Sequence, residues 1–308
     1  MSEPLVVEVE RSGFVESRHL VDVAVVDDDG RVVYSAGDPS AAAAFRSSSK
    51  PIQARAVVDA GWMPSADEHL ALACASHNGE PAHVDAVRAL LRAADIAETA
   101  LLTPLDVPAY PPAVLGITEP QRIFHNCSGK HAAMLGACAA AGWSFDDYRA
   151  PDHPLQRRII ALIADLTGVE PHLLVDGCGV PTTVAPLASL ARAFRAIDGG
   201  PEATAMRAHP FMVAGTGRLD TDLMAAAPSI LIKSGAEGLA CLSVGPYGIA
   251  LKSRDGSAAR FRGPAVCSVL HQLELFDPAL VPDHREVPIL GGGLPVGVVR
   301  ATGELNRR

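Results

Sequence analysis

The chain has 308 residues, of which 48% are hydrophobic and 20% charged, enough apolar material for one large domain or two ordinary ones and too little polarity for a disordered chain or a coiled coil. A formal net charge of −9 with no lysine- or arginine-rich block argues against a nucleic-acid or anionic-membrane partner, which would need a basic footprint. The opening MSEPLVVEVERSG carries early acids and only a short apolar run, unlike a signal peptide, and the apolar stretch at 132–143 is too short to span a bilayer. A soluble cytoplasmic protein is therefore expected, with its six cysteines as free thiols or metal ligands rather than disulfides.

In chain order, the Val-rich residues 20–26 read as a strand, 27–30 as a turn and 31–34 as the return strand of a hairpin. The pattern then becomes helical from 41 to about 227. A short helix at 50–60 ends at Gly61, and Ser65 with Glu68 forms a capping box ahead of residues 70–74. Val84, Val87, Leu90 and Leu91 share one face of the next helix. After a Pro-rich loop at 103–120, Ser128 is placed to cap an alanine-rich helix that stops near Gly142, and further helices are expected at 154–166, 184–196 and 202–213. Strand patterns return at 229–233, 239–244 and 248–253, followed by a helix at 257–273 and a last strand at 295–301. These elements predict an α+β fold: an antiparallel sheet from both termini (1–39 and 228–308) packed with helices, with an inserted, mainly helical domain (40–227). Neither GxGxxG nor GxxxxGK[ST] occurs, so nucleotide binding has little support.

Only four of the 26 basic residues are lysines: Lys50, Lys130, Lys233 and Lys252. Arginine serves wherever a generic positive charge is wanted, but only lysine can give up its proton in a protein and act as a base. In RSSSKP, Ser47 and Lys50 are three apart and project from one turn, an arrangement in which an amine can activate a hydroxyl; the competing reading is a serine-capped helix with Pro51 in its first turn. Ser76-His77-Asn78 and Lys233-Ser234-Gly235 follow in the order S-x-x-K, S-x-N, K-[ST]-G of the penicillin-recognising serine hydrolases, which makes Ser76 and Lys233 a second pair; alone, Ser76 reads as a cap for the helix near Pro81. Cys127 and Cys178 each lie in a glycine-bearing turn. A cysteine nucleophile paired with His131, a disulfide, and a zinc site completed by Lys130 or water all remain open at this point, with no CxxC pair to favour the metal. Cys74, Cys138, Cys241 and Cys267 read as core residues. Arg218 and Asp220 are placed either to grip a small zwitterion or to pair with each other, and Lys252 reads as a solvated edge lysine.

Together RSSSKP, CASHNGE, HNCSGKHAAML, DGCGVP, the Gly215–Arg218 segment and KSGAEG, colinear from about Val7 onward, resemble the asparaginase II family, the Rhizobium etli-type L-asparaginases. The resemblance implies a serine β-lactamase/glutaminase-like fold, a homodimer, and hydrolysis of L-asparagine to L-aspartate and ammonia. It implies catalytic Ser47, Lys50, Ser76 and Lys233, a zinc ion held by Cys127, Lys130 and Cys178 near the substrate, and Arg46, Asn126, His131 and Asp176 around the pocket. The chain departs from the family in trimmed segments after Ile117 and near Gly199–Gly200 and in its Lys-Ser-Gly string, which is closer to the glutaminase and β-lactamase forms. The alternatives are a glutaminase or other β-lactamase-like serine amidohydrolase, and a non-enzymatic amide or zinc sensor that kept the pocket.

Overall fold

The computed structural model describes residues 2–170 and 172–308. Strands β1 (Leu5–Arg11), β2 (Phe14–Val26), β3 (Val32–Ala36) and β4 (Ala42–Ala44) come first, then helices α1 (Lys50–Asp59), α2 (Asp67–Ala73), α3 (Pro81–Ala93), α4 (Ser128–Ala141) and α5 (Pro154–Thr167). Strands β5 (His172–Val175) and β6 (Pro181–Pro186) precede α6 (Leu187–Ala196), α7 (Pro201–Ala208), α8 (Pro210–Val213) and α9 (Leu219–Ala226). The chain closes with β7 (Leu231–Gly235), β8 (Leu239–Val244), β9 (Tyr247–Ser253), α10 (Arg262–Gln272), α11 (Pro282–Arg285), β10 (Val287–Gly291), β11 (Leu294–Thr302) and β12 (Asn306–Arg307). The fold is α+β, and no described helix is long and apolar enough to cross a membrane.

Two compact units emerge. One comprises residues 1–48, 185–196 and 226–308 and contains an antiparallel sheet ordered β10-β11-β1-β2-β9-β8-β7, with β3 added to β2 and β12 to β3. The 13-residue β2 holds it together: its first part pairs β1 and its last residues pair both β3 and β9. Every residue of β7 and β8 is buried, including the polar Lys233, Ser234 and Ser243, so neither strand alternates between a buried and an exposed face. Helix α6 packs on β2, β8 and β9 through Leu187, Leu190, Ala191 and Phe194, a one-face helical spacing. Sequence patterning grouped this helix with the inserted domain, but its apolar stripe is spent on the sheet.

The second unit comprises residues 49–184 and 197–225. Its centre is α4, buried continuously from Ser128 to Cys138 and packed against α1, α2, α3 and α5. Small residues permit this crowding. A Cβ on Gly129 would lie 2.6 Å from Leu72 Cγ and one on Gly136 2.6 Å from Trp62 Cδ1. Two expected caps are absent. Ser65 Oγ bonds the His69 ring at 2.8 Å while Ala66 takes the N-cap of α2, and Ser128 Oγ donates to Ile123 O (2.8 Å) one residue inside α4. Gly142 ends α4 in the left-handed conformation, φ +67°, as its position in the sequence suggests.

In the first unit, a Cβ on Gly248 of β9 would stand 2.4 Å from the Ala191 carbonyl oxygen of α6. Gly248→Ala is therefore expected to destabilise the protein by about 1–3 kcal/mol through overpacking, read as a lowered urea midpoint; an unchanged midpoint would show that α6 is not seated on β9.

Candidate functional site

Between α2 and α3 the chain runs as an extended loop whose amides alternate in direction. Ser76 N–H donates to Val213 O (2.9 Å), His77 N–H to Asn126 O (3.2 Å) and Asn78 N–H to Ala214 O (2.9 Å). Backbone of this period sends the side chains of Ser76 and Asn78 to one side and that of His77 to the other. Lys50, the first residue of α1 and only 1% exposed, points its amine at this loop, 2.5 Å from Ala75 O and 2.9 Å from Ser76 Oγ. No carboxylate among the described residues pairs with it. Ser76 does not cap α3, whose N-cap is Glu80. His77 is fixed on the opposite side, accepting from Gly79 N–H at 3.1 Å and bonding Ser128 Oγ at 3.0 Å, and it stacks on His83. Burial, with His83 and Lys50 nearby adding to it, holds His77 well below the usual histidine range, so the ring is neutral at pH 7.

Ser128, the His77 contact, is the first residue of α4, and the helix opens the sulfur-rich part of the same unit. The turns at Cys127 and Cys178 bring their buried thiols together, with Lys130 Nζ 3.1 Å from Cys178 Sγ and Cys127 Sγ 3.0 Å from Asn126 Oδ1. The Cys127 thiol beside Cys178 and the Lys130 charge hold Cys178 far below the usual thiol range, while the same contact and burial push Cys127 far above it. Burial opposes a charge on Lys130, but Cys178, Cys127 and Asp176 together raise it above the ordinary lysine value. His131 is lowered to about 4 by burial; its Nδ1 sits 2.6 Å from Tyr148 Oη, while its Nε2 is buried without a partner that meets hydrogen-bond geometry, on the Cys178 side of the ring. No three His, Cys, Asp or Glu among the described residues form a metal-binding group, so a metal here needs the Lys130 amine as third donor. Two thiols and an amine in one dry cluster suit a soft cation, provided Lys130 yields its proton. Asn126 is exposed, and Asp176, half-buried, accepts from Gly177 N–H at 2.8 Å.

The remaining expected residues lie in the first unit. Arg46, φ +47°, is a non-glycine residue in the left-handed region immediately before Ser47. Ser47 is half-buried, and its hydroxyl has no hydrogen-bond partner among the described residues. Ser48 Oγ donates to Lys233 O at 2.8 Å, a contact that Gly235 leaves room for, since a Cβ there would lie 2.9 Å from the same oxygen. Lys233 is wholly buried, with Nζ donating to Ser234 O at 2.9 Å. Lys252 is half-buried rather than solvated, and burial lowers it.

Sequence reasoning missed the supports of the Ser76 loop. Glu80 accepts from Thr216 N–H (2.8 Å), Thr216 Oγ1 (2.8 Å) and Asn78 Nδ2 (3.1 Å), and Asn78 Oδ1 accepts from Arg218 Nη1 (2.9 Å). Gly215, φ +105°, makes this wrap possible, because a Cβ would come within 2.4 Å of Glu80 Oε1. The string CASHNGE contains the clue, a buried-loop glutamate beside an asparagine, but nothing local names its partner 136 residues away. Tyr148, which holds His131, carries no motif at all.

A model of the L-asparaginase II family matches residues 7–301, and the chain belongs to that family. The search of curated proteins found no match. Membership supports an enzyme acting on amides.

Burial alone would raise Glu80, but the Thr216 and Asn78 donors outweigh it and lower the carboxyl below its ordinary 4.5. A depressed folded-state value means that its stabilisation is complete above that ordinary value and is lost as pH falls through the lower folded one. Glu80→Gln is expected to cost about 1–3 kcal/mol at pH 7 and to flatten the acid limb of stability below pH 4.5. Urea titrations from pH 7 to 3 measure this, and an acid limb identical to that of the wild type would rule it out.

Proposed function

We infer that this member of the L-asparaginase II family hydrolyses L-asparagine to L-aspartate and ammonia by serine–lysine chemistry through an acyl-enzyme. The observation that carries the reading is the buried Lys50 amine 2.9 Å from Ser76 Oγ, a hydroxyl and an amine within proton-transfer reach. In the forward half-reaction a serine Oγ bonds to the carboxamide carbon, its proton passes to an uncharged lysine amine, and that proton is returned to the departing nitrogen as ammonia leaves. Water then attacks the ester by the reverse proton route, releasing aspartate and restoring the hydroxyl.

Attack is assigned to Ser47 and proton relay to Ser76. The assignment follows from what each serine already does: Ser76 has its hydroxyl on Lys50 and its N–H on Val213 O, whereas the Ser47 hydroxyl is uncommitted and follows a left-handed Arg46. The S-x-x-K spacing supports Lys50 as its base, and the motif order supports Lys233 as the second amine. Ser76 as nucleophile is the rival reading, favoured by the same 2.9 Å contact.

Cys127, Lys130 and Cys178 would hold a zinc ion, which supplies a charge that ties the two turns and orients the substrate. Two thiolates donate so much charge that a polarising role is the weaker expectation. The resemblance also implies a β-lactamase/glutaminase-like fold and a homodimer, and the free thiols support a cytoplasmic site of action.

Ammonia release from asparagine, glutamine and other amides, beside hydrolysis of a chromogenic cephalosporin, tests the reaction class. Asparagine is expected to lead. Ser47→Ala, Ser76→Ala and Lys50→Met are each expected to lose at least about 10³-fold in kcat, and mass spectrometry of acid-quenched enzyme is expected to place the ester on Ser47. Tight asparagine binding without turnover would instead identify a sensor. For the metal, Cys178→Ala is expected to abolish zinc in elemental analysis and to raise KM more than it lowers kcat. A collapsed kcat with unchanged KM would contradict the orienting role.

A further inference from the structure

Arg218 is a half-buried guanidinium that no carboxylate among the described residues neutralises. Its hydrogen bond is to a neutral acceptor, Asn78 Oδ1 at 2.9 Å, leaving most of its five donors unassigned. The bond is aimed, because the Asn78 amide has no freedom to turn: Nδ2 donates both to Glu80 Oε1 (3.1 Å) and to Thr216 O (3.0 Å), so Oδ1 must face the arginine. Glu80 is consumed in the process, its oxygens taken by Thr216 and Asn78, so it orients the loop and is not itself paired with Arg218. Because Ser76 and Asn78 project from the same side of an extended segment, their side chains stand about 7 Å apart. A cation is therefore presented roughly one small-molecule length from the Lys50–Ser76 pair.

We propose that Arg218 is the specificity-determining residue that receives the α-carboxylate of the substrate, restricting the site to small amides with a free carboxylate close to the reacting carboxamide. The assignment rests on the amidohydrolase reading for its location and on the uncompensated guanidinium for its chemistry. A planar fork of donors matches a carboxylate bidentately, a match that a lysine gives only in part.

The test compares L-aspartate with β-alanine, the same molecule without its α-carboxylate, by calorimetric binding to wild type, Arg218→Gln and Arg218→Lys, with ammonia release from L-asparagine and 3-aminopropanamide measured alongside. Wild type is expected to bind L-aspartate about 10- to 100-fold more tightly than β-alanine, Arg218→Gln to bind the two alike, and Arg218→Lys to fall between. For turnover, Arg218→Gln is expected to raise KM for asparagine by a similar factor while leaving that for 3-aminopropanamide unchanged. A preference for aspartate that survives in Arg218→Gln, or a wild type that binds the two ligands equally or neither, overturns the assignment. Should Arg218→Gln fail to fold, an undiminished preference in Arg218→Lys overturns it as well. If wild type releases no ammonia yet loses its aspartate preference with Arg218→Gln, the hydrolytic reading fails and the carboxylate site stands.

Discussion

An amine withdrawn from water has to be given polar neighbours, and three of this chain's four lysines impose that demand. Lys50 meets Ala75 O and Ser76 Oγ, Lys130 meets Cys178 Sγ, and Lys233 meets Ser234 O. An unmatched buried charge costs several kcal/mol, so each of these lysines dictates the backbone path around it. The extended course of residues 74–80 presents the Ala75 carbonyl and the Ser76 hydroxyl to one amine, and the turn at Cys178 presents a sulfur to another. The first contact joins an amine to a hydroxyl. The second joins an amine to a sulfur.

Around the Lys50–Ser76 pair, precision comes from polar groups that are fully spent. Glu80, Asn78 and Thr216 satisfy one another with little left over, and Val213 and Ala214 hold the loop by its backbone. Such closed networks rigidify what they surround. Gly129 and Gly215 belong to the same logic: one lets α4 approach Leu72 of α2, the other lets the loop fold over a carboxylate. Both occur inside strings that look catalytic, yet the role the structure gives them is room.

Much of this was legible in the sequence where chemistry and local spacing coincide. Scarce lysines in Ser- and Cys-bearing strings marked the buried amines, and the change from period 2 to period 3.6 and back marked an α+β chain. Illegible was whatever depends on partners far along the chain. Spacing suggested Ser47 for Lys50, whereas the amine is bonded to Ser76, 26 positions away. Ser65 and Ser128 looked like caps, but each found a competing acceptor, a histidine ring and a carbonyl. Residues 184–196 read as one helix because Val184 and Ala185 are apolar; in fact β6 runs to Pro186 before α6 begins. Edge strands such as β5 and β10 escaped because His172–Val175 and Val287–Gly291 are short and largely exposed, without the alternation that marks a half-buried strand.

All six cysteines are free and buried. Burial pushes Cys138 up to about 11 and Cys241 and Cys267 up to about 12, so these sulfurs are shielded and unreactive together, whereas the Cys127 contact and the Lys130 charge lower Cys178, which enclosure protects. An alkylating reagent added to the native protein therefore meets no accessible sulfur, and the order in which the six are modified on gentle warming reports which region opens first. The molecule carries its own built-in gauge of partial unfolding.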